Sequence, residues 1–262
     1  MSRRWIAIAV SMIIIFMQGS VDGATLHVVL VGDINAEEHV LESATKKDLE
    51  AMHAEMLKVA RNIGYESSEQ IHLGYSLSSK KILSHCKKMN VERDDIVFFY
   101  FSGHGYTTPK QWEDPWPNIA LSGDQRGIPV SRVANVVRNL KPRLGIIFAD
   151  CCNSLFSDEY APLVLKQVVH THMGRVEANY RKMFLDQQGL IIIAGSKKAQ
   201  PSLATYAGSF CTLAFLQSFR EKMSQSSAQV NWESLLSLAD NNLQRKASEY
   251  DRRQDMIWAI ER

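Results

Sequence analysis

The chain has 262 residues, 45% of them hydrophobic, with 30 Lys and Arg against 28 Asp and Glu for a formal charge of +2. That length suits one large α/β domain or two small ones, and the hydrophobic fraction excludes a disordered chain. Nearly balanced charge without a basic block argues against nucleic acid as a partner, and four cysteines are too few for a disulfide scaffold.

In chain order, residues 1–24 read as an address. Arg3 and Arg4 give a positive start, an uncharged run extends from Trp5 to Met17, and the small or polar Gly19, Ser20, Gly23 and Ala24 follow. The run is short for a bilayer span, which takes ~20 residues. A signal peptide cut near Gly23 or Ala24 is expected, with an uncleaved N-terminal anchor as the alternative. No second hydrophobic span follows, so the cleaved protein is expected to be exported, periplasmic or secreted, without membrane attachment.

Leu26–Val31, ended by Gly32, predicts a buried strand. Ser43–Ile63 carries Leu49, Met52, Met56, Val59 and Ala60 at helical spacing, and Gly64 stops it. Ile71–Leu77 is a weaker strand and Ser78–Met89 a helix, with Ser78 as its N-cap. Ile96–Phe101 is a strong strand, a loop is expected over Thr107–Gly127, and Val130–Leu140 is a helix. Leu144–Ala149 is a strong strand ending at Asp150, and a long polar inserted loop is expected over Asn153–Gln188. Leu190–Ala194 is a further strand, followed by helices at Ser209–Met223 and Trp232–Tyr250. Apolar strands alternating with helices predict an α/β domain of three layers over residues 25–262, a mostly parallel central sheet with helices on both faces.

Sites in open parallel sheets form beyond the carboxyl ends of the strands. Two segments deliver chemistry there. Tyr100-Phe101-Ser102-Gly103-His104-Gly105 brings a histidine to one strand end, and Asp150-Cys151-Cys152-Asn153-Ser154 brings two thiols to another. A thiol attacks well only as the thiolate, and a neighbouring imidazole supplies the base. A disulfide between the adjacent cysteines would be strained, which disfavours a redox pair.

These segments resemble the motifs of the caspase-like cysteine peptidases of clan CD, the metacaspases more than the animal caspases. Tyr100–Gly105 is similar to the histidine motif Y-x-S-G-H-G, and Asp150–Ser154 to the cysteine motif D-[SC]-C-H-S-G. The separation of His104 and Cys152 is also close to the ~50 residues of that family. Ala194-Gly195-Ser196 and Gly208–Thr212 resemble the last core strand and the helix after it. The resemblance implies a caspase-like fold and a Cys-His dyad of Cys152 and His104, with Cys151 in the preceding small-residue slot. It further implies an oxyanion hole from the backbone N–H groups of Gly105 and Cys152. Asp150, Asp48 and Ser102 correspond to positions lining the S1 pocket, so cleavage after Arg or Lys is expected.

The resemblance departs from the family pattern where Asn153 replaces a histidine and Leu155 a glycine. A catalytically inactive binding or regulatory protein of the same fold is therefore the alternative to an endopeptidase. Glu113, Asp114, Asp124 and Asp158 are too scattered for a calcium site, so no metal and no cofactor is expected. The expected partner is a polypeptide substrate, and the expected state is a monomer. The basic residues Lys166, Arg175, Arg181 and Lys182 in the inserted loop suit self-cleavage, with an unprocessed connector as the other reading. Cys86 and Cys211 are expected either to be buried or to be linked. Trp112 and Trp116 are read as packing residues.

Overall fold

Strands that are apolar on both faces need cover above and below, and helices between successive strands supply it. In a computed structural model that describes residues 23–34, 38–111, 113–124, 126–155, 176–225 and 230–262, the chain begins with β1 (Thr25–Asp33), α1 (His39–Ile63), β2 (Glu66–Gly74), α2 (Ser79–Lys88) and β3 (Ile96–Ser102). Three short strands, β4 (Gly105–Tyr106), β5 (Asn118–Ile119) and β6 (Ile128–Pro129), then pair into a small sheet of their own. After them come α3 (Val130–Leu140), β7 (Leu144–Asp150), α4 (Val176–Phe184) and β8 (Gly189–Ala194). The chain ends with the hairpin of β9 (Ala204–Thr205) and β10 (Gly208–Ser209), then α5 (Phe210–Ser224), α6 (Trp232–Ser248) and β11 (Ile257–Glu261).

The main sheet has six strands in the order β11-β8-β7-β3-β1-β2. Every neighbouring pair is parallel except β11 on β8. The chain leaves β1 to one side for β2 and then crosses to its other side for β3, so the order reverses at β1. Such a reversal opens a crevice at the carboxyl ends of the strands.

Alternation along each strand divides the interior into two cores. Phe98, Tyr100, Ile146 and Phe148 face α1, α4, α5 and α6, whereas Val97, Phe99, Phe101 and Ile147 face α2 and α3. In the larger core the Phe148 ring meets Tyr100 edge-on at 5.3 Å and Phe215 at 5.0 Å. The three-layer α/β fold expected from the sequence is the fold observed.

Several boundaries differ from the expectation, each for a physical reason. β2 starts at Glu66 and ends at Gly74 rather than spanning 71–77. It is an edge strand, so its polar Glu66-Ser67-Ser68-Glu69-Gln70 start lies open to solvent and gives no apolar signal. β11 was not anticipated; it is short, antiparallel and only half-buried. The stretch expected as a loop over 153–188 contains α4, which buries Asn179, Tyr180, Met183 and Phe184. Residues 1–22 of the expected signal peptide and residues 156–175 of the expected loop, with Asp158, Lys166 and Arg175, lie outside the described residues. No helix among the described residues is long and apolar enough to cross a membrane.

The two candidate partners for a disulfide are separated by the sheet. Cys86 sits in the core under α2 and Cys211 in the core under α5, and both thiols are free and buried. Phe148 tests the larger core. Phe148→Ala should lower the free energy of unfolding by about 3–5 kcal/mol in urea titrations, because it leaves a cavity beside Tyr100 and Phe215.

Candidate active site

The site begins with the register of β3 and β7. Phe101 pairs with Ala149 and Ser102 with Asp150, so the two strands leave the sheet at the same level. His104 and Cys152 each follow two residues later. The loops then stay together: Gly103 N–H donates to the Asp150 carbonyl at 3.4 Å and Thr107 N–H to the Ser154 carbonyl at 2.9 Å. Gly105 permits this approach. A Cβ at that position would lie 2.4 Å from Cys151 Sγ and 2.5 Å from the Cys152 carbonyl oxygen, closer than any side chain tolerates. Gly105 and Cys152, the expected oxyanion-hole residues, are thus in direct contact.

The adjacent thiols have opposite fates. Cys151, 1% exposed, points into the core under α2 and α3. Burial, with Cys152 and Asp150 beside it, pushes its thiol well above the usual range. Cys152 points the other way, and its Sγ accepts the Ser202 N–H at 3.2 Å. An N–H aimed at sulfur favours the thiolate. The His104 side chain is 39% exposed, and its Nε2 lies 2.8 Å from Oε2 of Glu38, the residue preceding α1. His104 and Cys152 thus stand at the ends of neighbouring strands.

Near the sulfur lie two buried acids. Asp150 accepts from Ser202 Oγ at 2.9 Å, from Thr212 N at 2.8 Å and from Thr212 Oγ1 at 2.6 Å. Asp48, from α1, accepts from Ser102 Oγ at 2.9 Å and from Ser209 N at 3.0 Å and Oγ at 2.5 Å. The structure therefore places Asp48, Asp150 and Ser102 near one another. Neither carboxylate has a cationic partner among the described residues. Burial raises the Asp48 carboxyl, and the nearby Asp150 raises it further; burial raises Asp150 as well. The Tyr100 hydroxyl lies 2.6 Å from Thr212 Oγ1.

The residues that depart from the family motif are placed as follows. Asn153 is buried, donating from Nδ2 to the Pro115 carbonyl at 2.9 Å and the Ser196 carbonyl at 3.3 Å. It ties the cysteine loop to two others, while Leu155 is exposed. Asp114 accepts from Trp116 N and Ser131 Oγ, and Asp124 from Ser79 N, so both serve as loop braces. Glu113 is exposed, Trp116 packs against the smaller core, and Trp112 lies outside the described residues. Arg181 and Lys182 belong to α4.

Sequence reasoning missed Glu38 and Ser202, and it assigned no role to Asp33, Ser209, Thr212 or Gln254. Asp33 ends β1, accepts from Ser122, and lies close enough to His104 to feel its charge. Gln254 donates from Nε2 to Ser202 Oγ at 3.0 Å and to the Gly195 carbonyl at 2.7 Å, fixing the loop that meets the sulfur. Gly208–Thr212 was singled out as a segment, but hydroxyl and backbone donors carry no spacing signal of their own.

A family model described as the caspase domain matches residues 36–258. Among solved structures, caspase-1 from Spodoptera frugiperda is similar with a TM-score of 0.55 at 12% identity, over 90% of this chain and 86% of that one. A protein from Geobacter sulfurreducens is similar with a TM-score of 0.52 at 14% identity, over 90% and 93%. No curated protein matches the sequence.

The buried acids make stability depend on pH. Asp48 holds its proton more tightly in the folded chain than in the unfolded one, where an Asp titrates near ~3.9. Between those two pKa values the unfolded state has ionised and the folded state has not, so stability falls as pH rises above about 4. Asp48→Asn removes this loss. Its stability relative to wild type, followed by urea unfolding across a pH series without ligand, should increase from pH 4 to pH 8.

Proposed function

The chain belongs to the caspase-domain peptidase family, and from that premise we propose that it is a cysteine endopeptidase of metacaspase type, with Cys152 as nucleophile and His104 as base, cleaving after Arg or Lys. One observation carries the reading. Ser202 gives its N–H to the Cys152 sulfur and its hydroxyl to the Asp150 carboxylate, so the acids that would form the S1 pocket are joined through one residue to the reacting atom. A guanidinium or ammonium group in that pocket would meet two carboxylates that lack a cation among the described residues. An acidic side chain would meet repulsion.

The reaction proceeds by acyl transfer. The Cys152 proton passes to His104, and the sulfur attacks the scissile carbonyl carbon as the carbonyl π bond opens onto oxygen. The backbone N–H groups of Gly105 and Cys152 stabilise the oxyanion. Collapse of this intermediate breaks the C–N bond, and the imidazolium gives its proton to the departing amine. Water, deprotonated by His104, then hydrolyses the thioester and returns the thiol. Asp150 and Asp48 position the P1 cation and touch no reacting atom. Binding that cation favours their ionised forms, so proton release accompanies it.

Purified protein should cleave an Arg-P1 fluorogenic peptide. Cys152→Ala should lose about 10⁴-fold or more and His104→Ala ~10²–10⁴-fold in kcat/KM. Asp150→Asn should lower Arg-P1 cleavage by roughly 10²- to 10³-fold, the cost of leaving a buried charge unmatched, while iodoacetamide still alkylates Cys152. Full activity in Cys152→Ala would overturn the nucleophile assignment. Wild-type Cys152 that ignores an arginyl chloromethylketone would favour the inactive binding protein.

We also propose export, on the strength of Arg3, Arg4 and the uncharged run from Trp5 to Met17. N-terminal sequencing of the natively expressed protein should begin near Ala24; a start at Met1 in the cytoplasmic fraction would refute export.

A further inference from the structure

We propose that Glu38 is a positioning residue for His104, making the reacting group a triad in which the carboxylate holds the ring and shares the charge it acquires. The inference rests on the reading above, in which His104 is the base for Cys152. His104 Nε2 lies 2.8 Å from Glu38 Oε2. That oxygen is shut off from solvent, although the Glu38 side chain is 35% exposed. A carboxylate oxygen is thus buried against an imidazole nitrogen.

Helix capping does not account for the placement of the Glu38 side chain. It occupies the N-cap position of α1 at φ −116° and ψ 71°, yet its side chain makes no capping hydrogen bond. Glutamate is also a poor cap compared with Ser, Thr, Asp or Asn. Its position is nevertheless useful, because the N-terminal end of a helix favours negative charge. The first-turn acid Glu42 cannot substitute, being paired with Lys46 at 2.6 Å.

Committing Nε2 to Glu38 leaves Nδ1 as the nitrogen that exchanges a proton with the thiol. When the sulfur gives up its proton the ring becomes a cation, and the nearby carboxylate stabilises that state. Glu38 therefore favours the thiolate–imidazolium pair and holds the plane of the ring. Other charges reach His104 from neighbouring elements. Asp33, at the end of β1, has its carboxylate engaged by Ser122, and burial raises its pKa. Cys152 lies at the end of β7, and Asp48 and Asp150 are buried near it. Among the described residues, Glu38 is the carboxylate whose ion pair with the ring is seen, at 2.8 Å.

The test is Glu38→Gln, with Glu38→Asp as the charge-keeping control. With an Arg-P1 peptide, kcat should fall about 10- to 100-fold in Glu38→Gln at nearly unchanged KM, and Glu38→Asp should recover part of the loss. Iodoacetamide should also need a higher pH to alkylate Cys152 at a given rate in Glu38→Gln, with Glu38→Asp again between the two. An active wild type whose kcat and alkylation profile are both unchanged in Glu38→Gln would overturn the proposal and leave the peptidase reading intact. A wild type that cleaves no Arg-P1 peptide, but whose Cys152 alkylation still moves to higher pH in Glu38→Gln, would remove the peptidase reading and leave the Glu38–His104 coupling standing.

Discussion

The parallel pairing of β3 with β7 sets the level at which Ser102, His104, Asp150 and Cys152 leave the sheet. Ser102 stands opposite Asp150, and both lie in phase with Tyr100 and Phe148, which face α1 and α5. The polar pair therefore projects to that same side, where Asp48 and Thr212 meet it. Cys151 lies half a pleat away and is carried into the opposite core. A slip of β7 by one residue would exchange its faces, carrying Asp150 under α2 and α3 and turning Cys151 toward Asp48. One run of main-chain hydrogen bonds thus decides which thiol and which acid face α1 and α5.

That arrangement carries a cost. Two carboxylates are held in the interior by hydroxyl and backbone N–H donors, all electrically neutral. Such donors solvate an anion without cancelling its charge, so burial and mutual repulsion still work against ionisation. The near-neutral total charge of the chain gives no hint of this. The two acids are buried side chains, not part of a charged surface.

What could be read from the sequence follows from how each element is stabilised. β1, β3, β7 and β8 are buried on both faces and announce themselves as continuous apolar runs, and the two motifs sit on the ends of two of them. The edges were harder. β2 is polar where solvent reaches it, and β11 is too short and too exposed to stand out. α4 was hidden because its buried face consists of four residues in a polar segment. At the site, Asp48, Asp150 and Ser102 were legible from the motif resemblance. Glu38 and Ser202 were not, since each arrives from a loop whose path only the fold determines. The relation of Cys86 to Cys211 was likewise undetermined until the sheet was seen to separate them.

Ser202 joins the sulfur to the acid. Its main chain touches the one, its hydroxyl touches the other, and Gln254 clamps that hydroxyl from the tail preceding β11. The same glutamine accepts the N–H of Leu203 at its Oε1. The junction between thiol and carboxyl is therefore fastened by a side chain from the last stretch of the chain, more than 50 residues away in sequence.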